Sequence, residues 1–274
     1  MLNSLVSDLT LEILCKLGCK NFNLLLVNKK MNSIYIYNKK WVTKNIVNSC
    51  KFIFTDLSNI LFIKNKKVNA DELLCAAMNG ELENIKFLLR NGVDIHAWDD
   101  YALILASSGG HIEIVKLLID LGTDIHACSD KALRLASECG HTEIVKLLIE
   151  LGADIHAYSD DALISASYDG HTETVKLLIG LSADIHAQND KALRWASQGG
   201  HTEIVKLLID HGADVNILDG APLYQAIYFG HLKTVKLLID SGADLNGNNG
   251  THLKSAIKAG NAEIIKLLTD AGAA

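Results

Sequence analysis

From Asp71 onward, apolar and polar positions alternate with helical spacing inside a unit thirty residues long. In TEIVKLLIE (142–150), Ile144, Val145, Leu147 and Leu148 fall on one stripe, which predicts an amphipathic helix. Glu143 near its start and Lys146 farther along suit the helix dipole. Just before it, KALRLASE (131–138) sets Ala132, Leu133 and Ala136 on one face. The small alanines let a second helix approach closely. Gly140 supplies the turn between the two helices and Gly152 ends the second one, since a positive φ is cheap only without a Cβ. The stretch ADIHA (153–157) reads as an extended lead into the next copy.

This unit repeats without a slip. Glycine returns at Gly80, Gly110, Gly140, Gly170, Gly200, Gly230 and Gly260, and HTEIVKLLIELGADIHA (141–157) comes back as HTEIVKLLIDHGADVNI (201–217). Seven copies fit between residues 71 and 274. No helix pair of this size buries its apolar face alone, so stability must come from stacking neighbours. The predicted fold is all-α, a helix-pair solenoid. Ser182 stands where the other copies carry the glycine that ends the second helix, which predicts a local weakness of about 1 kcal/mol or less.

Apolar residues make up 49 % of the chain, ample for a core. Charge divides it in two. Residues 1–70 hold 11 Lys against 3 acids, net +8; residues 71–274 hold 15 Lys and Arg against 29 acids, net −14. An acidic array repels a phosphate backbone, which argues against nucleic acid as its partner. No apolar run is long enough to span a bilayer, and the opening MLNSLVSDLT lacks the pattern of a secretory signal. The six cysteines (Cys15, Cys19, Cys50, Cys75, Cys128, Cys139) do not recur with the repeat, which points to reduced thiols. A cytoplasmic location is expected, with no membrane partner.

The pattern A-L-x-x-A-x-x-x-G-H-x-E-I-V-K-L-L-I-x-x-G-A-D-I-x-A resembles the ankyrin repeat over about three-quarters of the chain. The period departs from the family, thirty residues here against the usual 33. The family's T-P-L-H opening is replaced by K-A-L-R (131–134, 191–194) or D-A-L-I (161–164), and only Ala221-Pro222-Leu223 keeps its proline. The missing residues fall where the family has its β-hairpin finger, so a shortened finger is expected. The thirty-residue form is also similar to arrays expanded in amoeba-infecting giant DNA viruses.

The resemblance implies a monomeric protein-binding module without a cofactor, its partner held on the concave side formed by the first helices. Residues that differ between copies are free to serve that partner. They are Trp98 and Tyr101; Arg134 and Cys139; Tyr158 and Tyr168; Arg194 and Trp195; and Tyr224, Gln225, Tyr228 and Phe229. Trp, Tyr and Arg are the residue types most often found at binding hot spots. The competing reading is that these side chains pad gaps between layers.

Chemistry is scarce by comparison. The histidines after the turn glycine (His111, His141, His171, His201, His231) and in the D-I-H-A loops (His96, His126, His156, His186) recur one layer apart. That spacing, about 10 Å, is too wide for ligands that must lie about 2 Å from one ion. Hydrogen bonding to turn backbone is the expected role. The H-T-E of 141–143 lacks the P-C-x-x-C half of a zinc deaminase, and no H-E-x-x-H, G-x-G-x-x-G or G-x-S-x-G is present. Asn249-Gly250-Thr251 is a formal glycosylation acceptor, silent without a secretory route. Single-copy residues such as His252 or Cys139 are the only handles for catalysis, so no enzyme is expected.

Residues 1–70 do not follow the repeat. Leu5, Leu9, Ile13, Leu14 and Leu17 make an apolar helical face, and Phe22, Leu24, Leu26 and Val27 a second cluster. With Asp8, Glu12, Lys29 and Ile34 they resemble an F-box, although Val6 stands where proline is usual and Met31 where Phe or Trp is common. The resemblance implies docking on a Skp-family adaptor of a cullin–RING ubiquitin ligase through Leu5, Leu9, Ile13, Leu14, Leu17, Leu24 and Val27. The alternative is a helical cap over the first repeat. Residues 37–70 read as a helical connector or part of such a cap, and 71–274 as the array.

Overall fold

The computed structural model describes residues 69–273, apart from the side chains of Asn248 and Asn249. The F-box-like residues Leu5, Leu9, Ile13, Leu14, Leu17, Leu24 and Val27, and the connector to residue 68, lie outside the described residues. The described part is seven helix pairs: α1 (Ala70–Asn79) with α2 (Leu82–Arg90), α3 (Ala97–Ser108) with α4 (Ile112–Asp120), and α5 (Ala127–Glu138) with α6 (Thr142–Glu150). Then follow α7 (Ala157–Asp169) with α8 (Thr172–Gly180), α9 (Ala187–Gly199) with α10 (Thr202–Asp210), α11 (Ile217–Tyr228) with α12 (Leu232–Asp240), and α13 (Gly247–Ala259) with α14 (Ala262–Asp270). The all-α solenoid is as the pattern predicts.

The predicted stripes are the buried ones. Ala132, Leu133 and Ala136 of α5 and Ile144, Val145 and Leu148 of α6 are buried, and their equivalents recur along one continuous core. Alanine on the first helices has the consequence expected of it. The first helices lie against one another far more closely than the second helices do, so they form the inner row of the array.

No strand occurs among the described residues, and the shortened finger takes an unforeseen form. ADIHA is not extended. Asp154 Oδ1 accepts the N–H of His156 at 2.9 Å, which folds the chain into a tight turn. Three consecutive residues then adopt left-handed geometry inside the first turn of five of the first helices, α3, α5, α7, α9 and α11, ahead of their regular part: Trp98–Asp100, Cys128–Asp130, Tyr158–Asp160, Gln188–Asp190 and Leu218–Gly220, with φ from 46° to 82°. Such geometry costs an L-residue about 1–2 kcal/mol. Apart from Ser129 and Ser159, the second and third positions are Asp, Asn or Gly, the types that bear it most easily.

A hydrogen-bonded latch offsets that cost. In four of the five turns the third residue is a buried aspartate: Asp100, Asp130, Asp160 and Asp190. Asp160 Oδ1 accepts from His156 Nδ1 at 3.0 Å and from the backbone N–H of Asp184, in the next repeat, at 2.8 Å. Asp130 does the same with His126 and Asp154, both at 2.9 Å, and Asp100 with His96 at 2.8 Å and Asp124 at 3.2 Å. The D-I-H-A histidines therefore bond a carboxylate, not turn backbone as expected, because the left-handed turn brings the aspartate four residues on back to the ring. Asp190 keeps His186 at 2.8 Å, but no bond from it to the Asp214 N–H occurs among the described residues. One layer later Asn216 substitutes, accepting from the Asp244 N–H at 2.7 Å.

The other histidines do bond backbone, across layers. His171 Nε2 donates to the Glu138 carbonyl at 2.9 Å, and His111, His141, His201 and His231 donate to Met78, Ser108, Tyr168 and Gln198 at 2.8–3.1 Å. A carbonyl can only accept, so Nε2 carries the proton in each. The ring lies on the preceding repeat's turn glycine. Gly140 has φ +74°, and a Cβ there would collide with the His171 imidazole. The thirty-residue glycine period thus has two causes, backbone conformation and space for the next histidine.

Candidate protein-binding face

The inner row presents the variable residues, and the structure divides them into two kinds. Those of the first kind are tied to their own chain. Lys131 Nζ donates to the Tyr101 hydroxyl at 3.3 Å and lies 5.0 Å from that ring's centre. Arg134 Nε donates to Asp161 Oδ2 at 3.0 Å while its guanidinium covers Tyr158 at 4.5 Å. Lys191 sits 4.4 Å over Trp195, whose ring centre is 5.0 Å from that of Tyr168. Arg194 donates to the carbonyls of Asn189 at 3.0 Å and Gln188 at 2.9 Å, clamping the left-handed turn at the start of its helix. Arg134 and Arg194 therefore have folding roles of their own, and Tyr101, Arg134, Arg194 and Trp195 are all partly buried.

The second kind is exposed. Trp98 and Tyr158 are 59 % and 69 % accessible at the tips of the left-handed turns, and Tyr228 and Phe229 are 59 % and 47 % accessible at the end of α11. Tyr168 and Cys139 are exposed as well, and Gln225 is half-buried. Tyr224 and Tyr228, one turn apart, stack with ring centres 6.1 Å apart, and Phe229 meets Tyr228 edge-on at 5.1 Å. Beside them is an open cleft of about 420 Å³ lined by Tyr224, Tyr228, Ser255, Lys258 and Ala259.

Sequence reasoning passed over Leu218, which is exposed at the same turn-tip register as Trp98 and Tyr158. Aligning the copies two repeats apart would have found it. It also passed over Lys131, Lys191, Lys254 and Lys258, because lysine on a helix is usually only a solvated charge.

Comparison with protein families matches a model described as ankyrin repeats in three consecutive stretches, residues 73–159, 156–219 and 218–274. This chain belongs to the ankyrin-repeat family. The matched stretches cover all seven helix pairs of the ankyrin array save the first residues of α1. Comparison with curated proteins finds no match.

Among the described residues, no group of three or more His, Cys, Asp or Glu side chains is placed to hold a metal ion, and no helix is long and apolar enough to cross a membrane. The proton affinity of His141 is displaced. Burial holds its imidazole below the ordinary value, and His111 and His171 push the same way against the opposing bond to Ser108. His252 is fully buried, its Nδ1 donating to the Leu245 carbonyl at 3.1 Å.

Proposed function

We propose that this ankyrin array is a non-catalytic protein-binding module whose inner row holds the partner. The observation that carries the reading is the exposure of Trp98, Tyr158, Tyr228 and Phe229 along one row. Large aromatic side chains left mostly in water bury little area within the chain and supply the contact area that binding needs. Photo-crosslinking tests it, with a benzophenone amino acid placed at Tyr158 or Tyr228 and, as the outward-facing control, at Lys116 on α4. Capture of one protein from a eukaryotic cell extract at the first two positions but not the third is expected. Equal capture at all three contradicts the inner-row reading.

A finer reading rests on the sequence of residues 1–36. As an F-box-like segment, Leu5, Leu9, Ile13, Leu14, Leu17, Leu24 and Val27 would dock a Skp-family adaptor while the array selects the protein to be ubiquitinated. The chain would act by raising the substrate's concentration near the transferase, without chemistry of its own. On that reading the chain would act in the cytosol, the host's cytosol if the chain is viral. Calorimetry of the full chain, and of the chain lacking residues 1–36, against a Skp-family adaptor decides this. Binding by the full chain alone supports the ligase role. Binding by neither, with both folded, leaves a plain ankyrin scaffold with a helical cap.

A further inference from the structure

We propose that the inner face of the last two repeats binds an acidic polypeptide segment carrying a large apolar anchor, a refinement that rests on the protein-binding reading above. Four side chains form a grid there. Tyr224 and Tyr228 sit one turn apart on α11, and Lys254 and Lys258 occupy the same two registers thirty residues on, on α13. Residues four apart share a helix face, and adjacent layers lie about 10 Å apart. Tyr228 and Lys258 line one cleft of about 420 Å³.

The state of the lysines sets this place apart. Along the rest of the inner row the cations are occupied, Lys131 on Tyr101, Arg134 on Asp161, Lys191 on Trp195 and Arg194 on two carbonyls. Lys254 and Lys258 are exposed, and neither has an ion-pair or hydrogen-bond partner among the described residues. Beyond the turn residue Asp219, neither α11 nor α13 carries an acid. In a repeat region of net charge −14, this is a local cationic island beside three aromatic rings, two of them exposed.

That juxtaposition selects the ligand. Carboxylates avoid the negative face of an aromatic ring, so they pair with the two ammonium groups. The apolar anchor lies against Tyr228 and Phe229. A basic partner meets repulsion at the island, and a long uniform polyanion meets it from the rest of the array. A short acidic stretch touches the island alone.

Fluorescence anisotropy of the full chain with labelled 12-residue peptides tests the assignment. One peptide is rich in Glu and Asp with a Phe and a Leu. A second carries Lys in place of the acids, and a third Ser in place of the anchors. The first should bind, with affinity falling as salt rises. The second should not bind, and the third should bind at least tenfold more weakly. Lys258→Glu and Lys254→Glu should each weaken the first peptide about tenfold. Lys206→Glu, on α10, should leave its affinity unchanged, with circular dichroism verifying that all variants fold. Equal binding of the acidic and basic peptides, equal loss in Lys206→Glu, or no binding of the first peptide overturns the proposal. If crosslinks still form at Tyr158 when the acidic peptide fails, the inner-row reading survives and only this assignment falls.

Discussion

At position 182 a serine is held at φ +71°, where the equivalent Gly122, Gly152, Gly212 and Gly242 lie at φ +89° to +103°. A Cβ at those glycines would meet nothing closer than 4.0 Å, so the strain at Ser182 is conformational and not steric. Ser182→Gly should therefore stabilise the array by about 1 kcal/mol, read from the midpoint of urea unfolding. His141 gives a second test at this scale. Burial depresses its folded pKa below the ordinary histidine value, so the unfolded chain binds the proton more readily. The stability it contributes is complete above about pH 6.5 and is lost as pH falls from there toward the folded value. Asn261, which holds the equivalent place in the seventh repeat and caps α14, shows that His141→Asn fits the fold. That variant should cost about 1 kcal/mol at pH 7.5 and lose less stability than the parent between pH 7.5 and 5.5. Ser182 was legible from the repeat, because a single substitution in an otherwise constant glycine column names its own consequence. The role of the D-I-H-A histidines was not, since their partner, the aspartate four residues on, is reached only through a left-handed turn.

Those turns are the feature of the element scale. Helix periodicity located all seven pairs, because alanine and leucine columns repeated in phase leave one packing solution. It said nothing of the linkers, whose conformation follows from short polar side chains and from bonds to a neighbouring layer. The latch makes the linkers unequal in strength. Asp160→Ala removes two hydrogen bonds to a buried carboxylate, one of them spanning two repeats, and should cost about 2–3 kcal/mol. Asp190→Ala removes only the His186 bond and should cost clearly less. Equal losses in denaturant titrations would mean that the inter-repeat bond contributes nothing. Part of the candidate face was hidden for the same reason. Arg134, Arg194 and Trp195 were singled out by variability alone, and the contacts that engage them come from other repeats or from the turn geometry.

On the scale of the whole molecule, repetition makes a rigid row and variation places aromatic side chains along it. The second helices and the ends that follow them hold most of the acids, and the inner face of the last repeats holds unpaired lysines. The partner should therefore arrive on the inner row and not on the second-helix face. The most direct measurement is the affinity of the crosslinked partner for the full chain and for three single variants, Tyr158→Ala, Tyr228→Ala and Lys116→Ala, each verified as folded. A loss of tenfold or more in at least one tyrosine variant, with Lys116→Ala unchanged, is the predicted result. Unchanged affinity in both tyrosine variants, or a comparable loss in Lys116→Ala, would contradict the account.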